Sequence, residues 1–419
     1  MQKVVKAEEV RPDVPIKDVL EETGTRPMSK LSKQFDIENV AVVKGVLRKF
    51  NDELFPELPI RKGEGFLNKL FGRDKITDEL FLFVDRSGKN TSQELLRLPG
   101  HGRNFSFNVK FSDAEGNVYS YIDIKGGGLS GKGSRKEAET VRTEIVEQAK
   151  WRKVSVRGMG DWEEATKDWE TSEFFRKKGV KVAPPIAIVE IEEFILADGT
   201  KVSVKDAMKR MLPRNLEYHG ETYKNRPVLY LRAFTEVMRL SDATKDDFEK
   251  FAKEHGKSLD EYLNWLGGKM ADNLIKIHKS GIAHKNLIAH NWTIDGHVVD
   301  FDTVEKADSE KILDDASFTV AAMHSMCVVK GSLSEDDSTR LLAAFLRKYL
   351  VSPCINKDEI IVLYGIYDTS LKTNENDSIK SLYKRVMQEI AELYKKRFGE
   401  DIDYSKYVGD EPVIIDKKH

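Results

Sequence analysis

Cysteine is nearly missing from this chain. Its 419 residues hold two, Cys327 and Cys354, too few for a disulfide framework and not spaced with histidine as metal ligands are. They read as ordinary part-buried thiols in a reducing compartment. Long apolar runs are missing too. No stretch approaches the roughly 18 residues that a membrane span requires. Residues 1–6 lack the apolar centre of a signal peptide, and Glu8, Glu9, Asp13, Asp18, Glu21 and Glu22 argue against a mitochondrial leader. A cytoplasmic location and no membrane partner are the expectation. Charge of one sign is not in excess: 68 Lys+Arg against 70 Asp+Glu leave a formal net charge of -2. That balance argues against a general nucleic-acid binder. There is no internal repeat and no low-complexity tract.

What is there suffices for a sizeable core under a charged surface, with 40% hydrophobic and 33% charged residues. The length suits two packed domains. Residues 1–36 are polar and read as an N-terminal arm. Val40, Val43, Leu47 and Phe50 fall at helical spacing and predict a helix over 35–55. Residues 79–84 are apolar and aromatic. Residues 104–111 and 118–125 alternate strictly about a turn at 113–117, which predicts an antiparallel hairpin. A glycine-rich loop follows over 126–134. Helices are expected at 136–150 and 161–178, the second stopping at Gly179, then strands at 180–192 and 226–234. From about 244 the pattern is helical, and Leu382, Val386, Ile390 and Leu393 mark the apolar face of the last long helix. The expected organisation is an N-lobe over 37–192, a hinge with an arginine-bearing strand over 193–243, and a helical C-lobe over 244–419.

The chemistry concentrates in residues 284–302. His284-Lys285-Asn286-Leu287 has the form of the kinase catalytic loop H-R-D-L-x-x-x-N, with Asn291 five residues after Asn286, and Asp300-Phe301 has the form of the start of D-F-G. An amide oxygen and a carboxylate converging from adjacent loops suit the hard cation that a triphosphate needs. Strands first and helices second, with this loop, predict an α+β, protein-kinase-like two-lobed fold with a β-containing N-lobe and a mostly helical C-lobe. One position departs from the kinase pattern. Asn286 stands where the catalytic Asp would be, and a neutral amide cannot take a proton from an acceptor hydroxyl.

That departure, with several other segments, resembles the selenoprotein O family, whose loop has the form H-G-V-M-N-T-D-N with a metal-binding Asp nine residues beyond the last Asn. Asp300 lies nine beyond Asn291. Leu98-Pro99-Gly100-His101-Gly102-Arg103, Ile124-Lys125-Gly126-Gly127-Gly128, residues 167–173, and the strand with Arg232 and Arg239 at a spacing of seven follow in the family's order over about residues 95–305. The resemblance implies a protein adenylyltransferase that binds ATP flipped, with Mg2+ or Mn2+, and passes AMP to Ser, Thr or Tyr hydroxyls of protein substrates. It implies ATP contacts at Gly100, Gly102, Arg103, Lys125, Asp168, Arg232 and Arg239, metal ligands at Asn291 and Asp300, and a base at His290, where the family has an Asp. Glu164 or Glu173 could replace Asp168 as the partner of Lys125, and Asp302 is a second candidate for base or ligand. A kinase-like phosphotransferase and a nucleotide-binding pseudokinase stay open beside this reading. His101, His278, His297 and His324 have no partners at ligand spacing and read as surface or capping residues.

Overall fold

The computed structural model describes residues 40–56, 58, 79–84, 104–126, 160–196, 201–204, 226–328, 331–373 and 377–403. The polar arm, the expected helix at 136–150, the loop beyond Gly126, and Gly100, Gly102 and Arg103 lie outside them. The chain divides into two compact units, one formed by Met1–Glu173 with Ala183–Val237, the other by Phe174–Val182 with Met238–His419.

The first unit is built on an antiparallel sheet. Its strands are β1 (Val40–Phe50), β2 (Glu79–Val84), β3 (Asn104–Ser112), β4 (Val118–Lys125), the two-residue β5 (Gly160–Asp161), β6 (Pro185–Leu196), β7 (Lys201–Ser203) and β8 (Pro227–Phe234). The order across the sheet is β2-β1-β6-β8-β4-β3, with β5 beside β8 and β7 beside β6. Helix α1 (Trp162–Lys177) lies between β5 and β6 in sequence.

The expected helix at 35–55 is corrected here: residues 40–50 form β1, paired with β2 on one side and β6 on the other. Val40, Val42, Val43 and Val46 are β-branched, stiff at χ1 and suited to a pleated surface. The helical spacing of the apolar residues was a coincidence of a strand apolar on both faces. Gly45 fixes the close approach to β6, since a Cβ there would come within 2.4 Å of Val189 Cγ1.

The β3–β4 hairpin turns through Asp113–Asn117, where Asp113 Oδ1 accepts the N–H groups of Glu115 and Asn117 at 2.9 Å each and Gly116 takes a positive φ. Register pairs Asn104 with Lys125 at the hairpin's open end. Immediately beyond, Gly126 has φ +92°, and a Cβ on it would lie 2.5 Å from Gly160 N and from Val228 O. No side chain fits, so the position after Lys125 is restricted to glycine. β8, buried along its whole length, lies inside the sheet between β6 and β4.

The second unit is helical. It holds α2 (Lys245–Glu254), α3 (Leu259–Lys279), β9 (Ile282–Ala283), β10 (Glu305–Lys306), α4 (Ser309–Val328), α5 (Glu335–Tyr349), α6 (Lys357–Thr373) and α7 (Asp377–Phe398). Reciprocal capping boxes start α2 (Thr244 with Asp247) and α3 (Ser258 with Glu261). The core joins Phe248, Tyr262, Met270, Phe345 and Tyr349 to the apolar face of α7, with Leu382, Val386, Ile390 and Leu393 buried in it. A sheet unit followed by a helical unit makes the fold α+β and protein-kinase-like in its order of elements.

Two adjacent glycines in α3 make opposite demands. A Cβ on Gly267 would lie 2.3 Å from Leu341 O of α5, whereas one on Gly268 meets nothing within 4 Å. Gly267→Ala is expected to destabilise the chain by about 1–3 kcal/mol through overpacking. Gly268→Ala is expected to stabilise it by about 0.5–1 kcal/mol through helix propensity. Urea unfolding of the two variants checks both signs.

Candidate functional site

In the first unit, four charges are buried together on the sheet and the helix beside it. Lys125 ends β4, Asp123 precedes it by two, Arg232 lies on β8 and Asp168 on α1, all 6% exposed or less. Register sets Asp123 opposite Arg232, and their side chains meet at 2.7 Å. Arg232 also lies 3.6 Å from Asp168 Oδ2, and Lys125 Nζ lies 4.0 Å from the same oxygen. Asn104 and Ser106 donate to the Asp123 carboxylate at 3.2 and 2.9 Å, and Ser172 donates to Asp168 at 3.1 Å. Two acids thus face two bases, with donors from Asn104, Ser106 and Ser172 on the acids. Removing one partner from such a buried group costs on the order of 3–5 kcal/mol. Asp168 is the acid at Lys125; Glu173 accepts instead from Asn51, at 3.3 Å. Asp123, which sequence reasoning passed over, is the principal partner of Arg232. The i, i+2 repeat of polar residues on a strand with one apolar face was its only signal.

In the second unit the loop after β9 carries the remaining candidates. β9 pairs with β10, so the chain leaves and re-enters beside itself. Between them Asn291 closes a short 3-10 turn (Ala289–Asn291), and Trp292 forms a bridge with Val298. Val299 N–H donates to Asn291 O at 3.2 Å, which makes Asp300 the residue next to the one paired with Asn291. The Asn291 amide nitrogen donates to Asn286 O at 2.7 Å. Its Oδ1 is buried and has no hydrogen-bond partner among the described residues. An amide fixed by its nitrogen, with its oxygen unused and Asp300 adjoining its backbone partner Val299, fits one half of a hard-cation site. No group of three or more His, Cys, Asp or Glu able to hold a metal occurs among the described residues. A cation here would take its other ligands from phosphate and water, as Mg2+ commonly does.

Arg239 belongs to the same neighbourhood. It is buried and bridges to Thr293, and the flanking Leu240 N–H and Met238 O bond to Trp292 and Ile294. His290 sits half-buried in the Ala289–Asn291 turn, and Asp302 half-buried in a further 3-10 turn, Phe301–Thr303.

Lys285 (φ 69°) and Asp300 (φ 62°) are the non-glycine residues with positive φ among the described residues, a conformation that costs of order 1–3 kcal/mol each. Buried Asp315 of α4 offsets the first. Its carboxylate accepts the backbone N–H of His284 at 2.6 Å and of Lys285 at 2.7 Å. Lys285 Nζ bonds Asp314 at 3.0 Å, and that contact holds its ammonium above the ordinary lysine value. At Asp300 the turn lets Phe301 bury its ring 5.1 Å from both Phe175 and His284.

His278 is a correction. It is neither a surface nor a capping residue, because its side chain is fully buried between Tyr349 and Asp315, at 2.9 and 3.2 Å. Those partners lie 71 and 37 residues along the chain, beyond any local spacing. His297 does pair locally, with Asp295 at 2.8 Å. His324 is half-buried, and burial lowers its pKa. Cys354 donates to Ile275 O at 3.3 Å, with its thiol pushed up by burial, which suits an unreactive residue.

No family model matches the chain, and no curated protein matches it. Among solved structures it is similar to a Toxoplasma gondii specific rhoptry antigen kinase domain, at 10% identity and a TM-score of 0.23, covering 92% of this chain and 99% of that one. A score that low carries no argument here, and the fold stands on the elements above.

His284 gives the site a pH signature. Its Nε2 donates to Val299 O at 3.0 Å, and burial holds its pKa below the ordinary imidazole value. The unfolded chain therefore binds more protons between the folded value and about pH 6.5. Stability rises with pH through that window and is complete above it. His324 acts in the same direction. The urea midpoint is expected to fall as pH drops from about 7.5 to 5, and His284→Gln to flatten that slope; an unchanged slope would show that another group carries it.

Proposed function

We propose that this chain is an ATP-dependent adenylyltransferase that passes AMP to protein hydroxyls and releases pyrophosphate. The observation that carries the nucleotide reading is Asn291, whose amide oxygen is buried and unused while its nitrogen is held by Asn286 O. Asn291 and Asp300 would hold Mg2+ or Mn2+. When bound, the cation would neutralise phosphate oxygens and stabilise the charge that builds on them.

The preference for AMP over phosphate rests on Asn286. A γ-phosphate presented to this loop would find an amide where a phosphotransferase needs a base. In a flipped ATP the α-phosphorus faces the acceptor instead. The acceptor oxygen then bonds to the α-phosphorus, the bond to the bridging α–β oxygen breaks, and pyrophosphate leaves with that electron pair. His290 is the proposed recipient of the hydroxyl proton, since neutral imidazole accepts one near pH 7. Arg239 is assigned to the β- and γ-phosphates. Arg232, 1% exposed and paired with Asp123 and Asp168, keeps Asp168 beside Lys125 within the first unit. Positioning and charge neutralisation supply most of the rate in such transfers.

Labelled ATP tests the reading. Label on the α-phosphate is expected to enter protein, with a loss of at least about a hundredfold in His290→Ala, the lower end of what a general base contributes. Label entering an acceptor from the γ-phosphate would establish a phosphotransferase instead. Tight Mg-ATP binding with no transfer of either label would establish a pseudokinase.

A further inference from the structure

We propose that Tyr349, the last residue of α5, is a positioning residue for the loop 284–291, acting through the tautomer of His278. Calling that loop catalytic rests on the reading above; the positioning does not. The contacts form one chain through the core of the helical unit. Tyr349 Oη lies 2.9 Å from His278 Nδ1, His278 Nε2 lies 3.2 Å from Asp315 Oδ2, and the Asp315 carboxylate receives the N–H of His284 and of Lys285. Tyr349, His278, Asp315 and His284 are all buried.

The direction of each bond follows from the last link. Asp315 Oδ2 already accepts from His284, so it offers His278 an acceptor and no proton. His278 must present N–H at Nε2, since a bare nitrogen lone pair facing that oxygen would be repelled. In a neutral ring Nδ1 is then an acceptor, and the group beside it that can donate is the Tyr349 hydroxyl. Burial raises the Tyr349 pKa well above that of an ordinary phenol, with Cys354, Asp315 and Glu359 pushing the same way, so the oxygen keeps its proton. The ring is held by stacking on Phe345, with centroids 5.4 Å apart and planes at 13°. Without the hydroxyl, Nδ1 loses its donor and the alternative tautomer becomes accessible. That tautomer removes one of the three N–H groups on Asp315 and sets a lone pair against the carboxylate that fixes the strained Lys285. Tyr349 thereby connects the packing of α5 to the loop's backbone, and the His–Asp pair alone would not make that connection.

Tyr349→Phe keeps the ring and its stacking and removes only the hydroxyl. With 15N-histidine labelling of the full chain, His278 is expected as the Nε2–H tautomer in the wild type and as a mixture in Tyr349→Phe. Amide exchange over 284–291 is expected to speed up about tenfold in the variant, the worth of one buried hydrogen bond, while amides of α2 keep their protection. Turnover should fall in kcat with little change in KM for ATP. A wild-type imidazolium carrying both protons would overturn the proposal, as would exchange over 284–291 that moves only in step with α2. A wild type that transfers no label would sink the adenylyltransferase reading, while the tautomer and exchange measurements would still decide the role of Tyr349.

Discussion

The carboxylate of Asp315 is the contact on which the loop's geometry depends. Lys285 holds a backbone conformation that L-residues avoid, and that conformation persists only if its surroundings over-determine it. Asp315 does so from inside a helix, where it cannot move without disturbing the core, by taking the N–H of His284 and of Lys285 at once. From that fixed start the chain runs through Asn286, whose carbonyl holds the Asn291 side chain, and Asn291 O in turn receives Val299 N–H. Each step is a hydrogen bond between buried or half-buried groups. Asn291 and Asp300 are thus held near one another along a continuous set of backbone constraints.

The first unit solves a different problem. Two acids and two bases are buried on the sheet and helix α1, where each alone would be very costly. They are kept by mutual pairing and by donors from Asn104, Ser106 and Ser172. Arg232 is the pivot, since it touches both Asp123 and Asp168. A guanidinium suits that place because it stays charged and presents several donors in a fixed plane, which a lysine would not. Lys125 meets Asp168 at the longer distance of 4.0 Å.

Much of this was legible in the chain itself. The hairpin announced itself through strict alternation about Asp113–Asn117, and the loop through the order His284, Asn286, Asn291, Asp300. Strand β1 was not legible, because its apolar residues occupy both faces and their spacing imitates a helix. What decides its state is pairing with β2 and β6, far along the chain. The partners of His278 and the role of Asp315 were invisible for the same reason. A single buried histidine or aspartate carries no pattern, and its meaning comes from helices that pack only in the folded chain. Asp123 shows the intermediate case, a polar residue at a polar strand position whose depth the alternation did not reveal.

The central claim is that Asn291 and Asp300 hold the divalent cation of a bound nucleotide. Electron paramagnetic resonance of Mn2+ with ATP and the full chain tests it most directly, with Asp300→Asn as the control, because asparagine tolerates the same left-handed backbone and removes only the charge. The account predicts a protein-bound Mn2+–ATP signal in the wild type that is lost in Asp300→Asn and weakened in Asn291→Ala. A signal of undiminished strength in Asp300→Asn would contradict it.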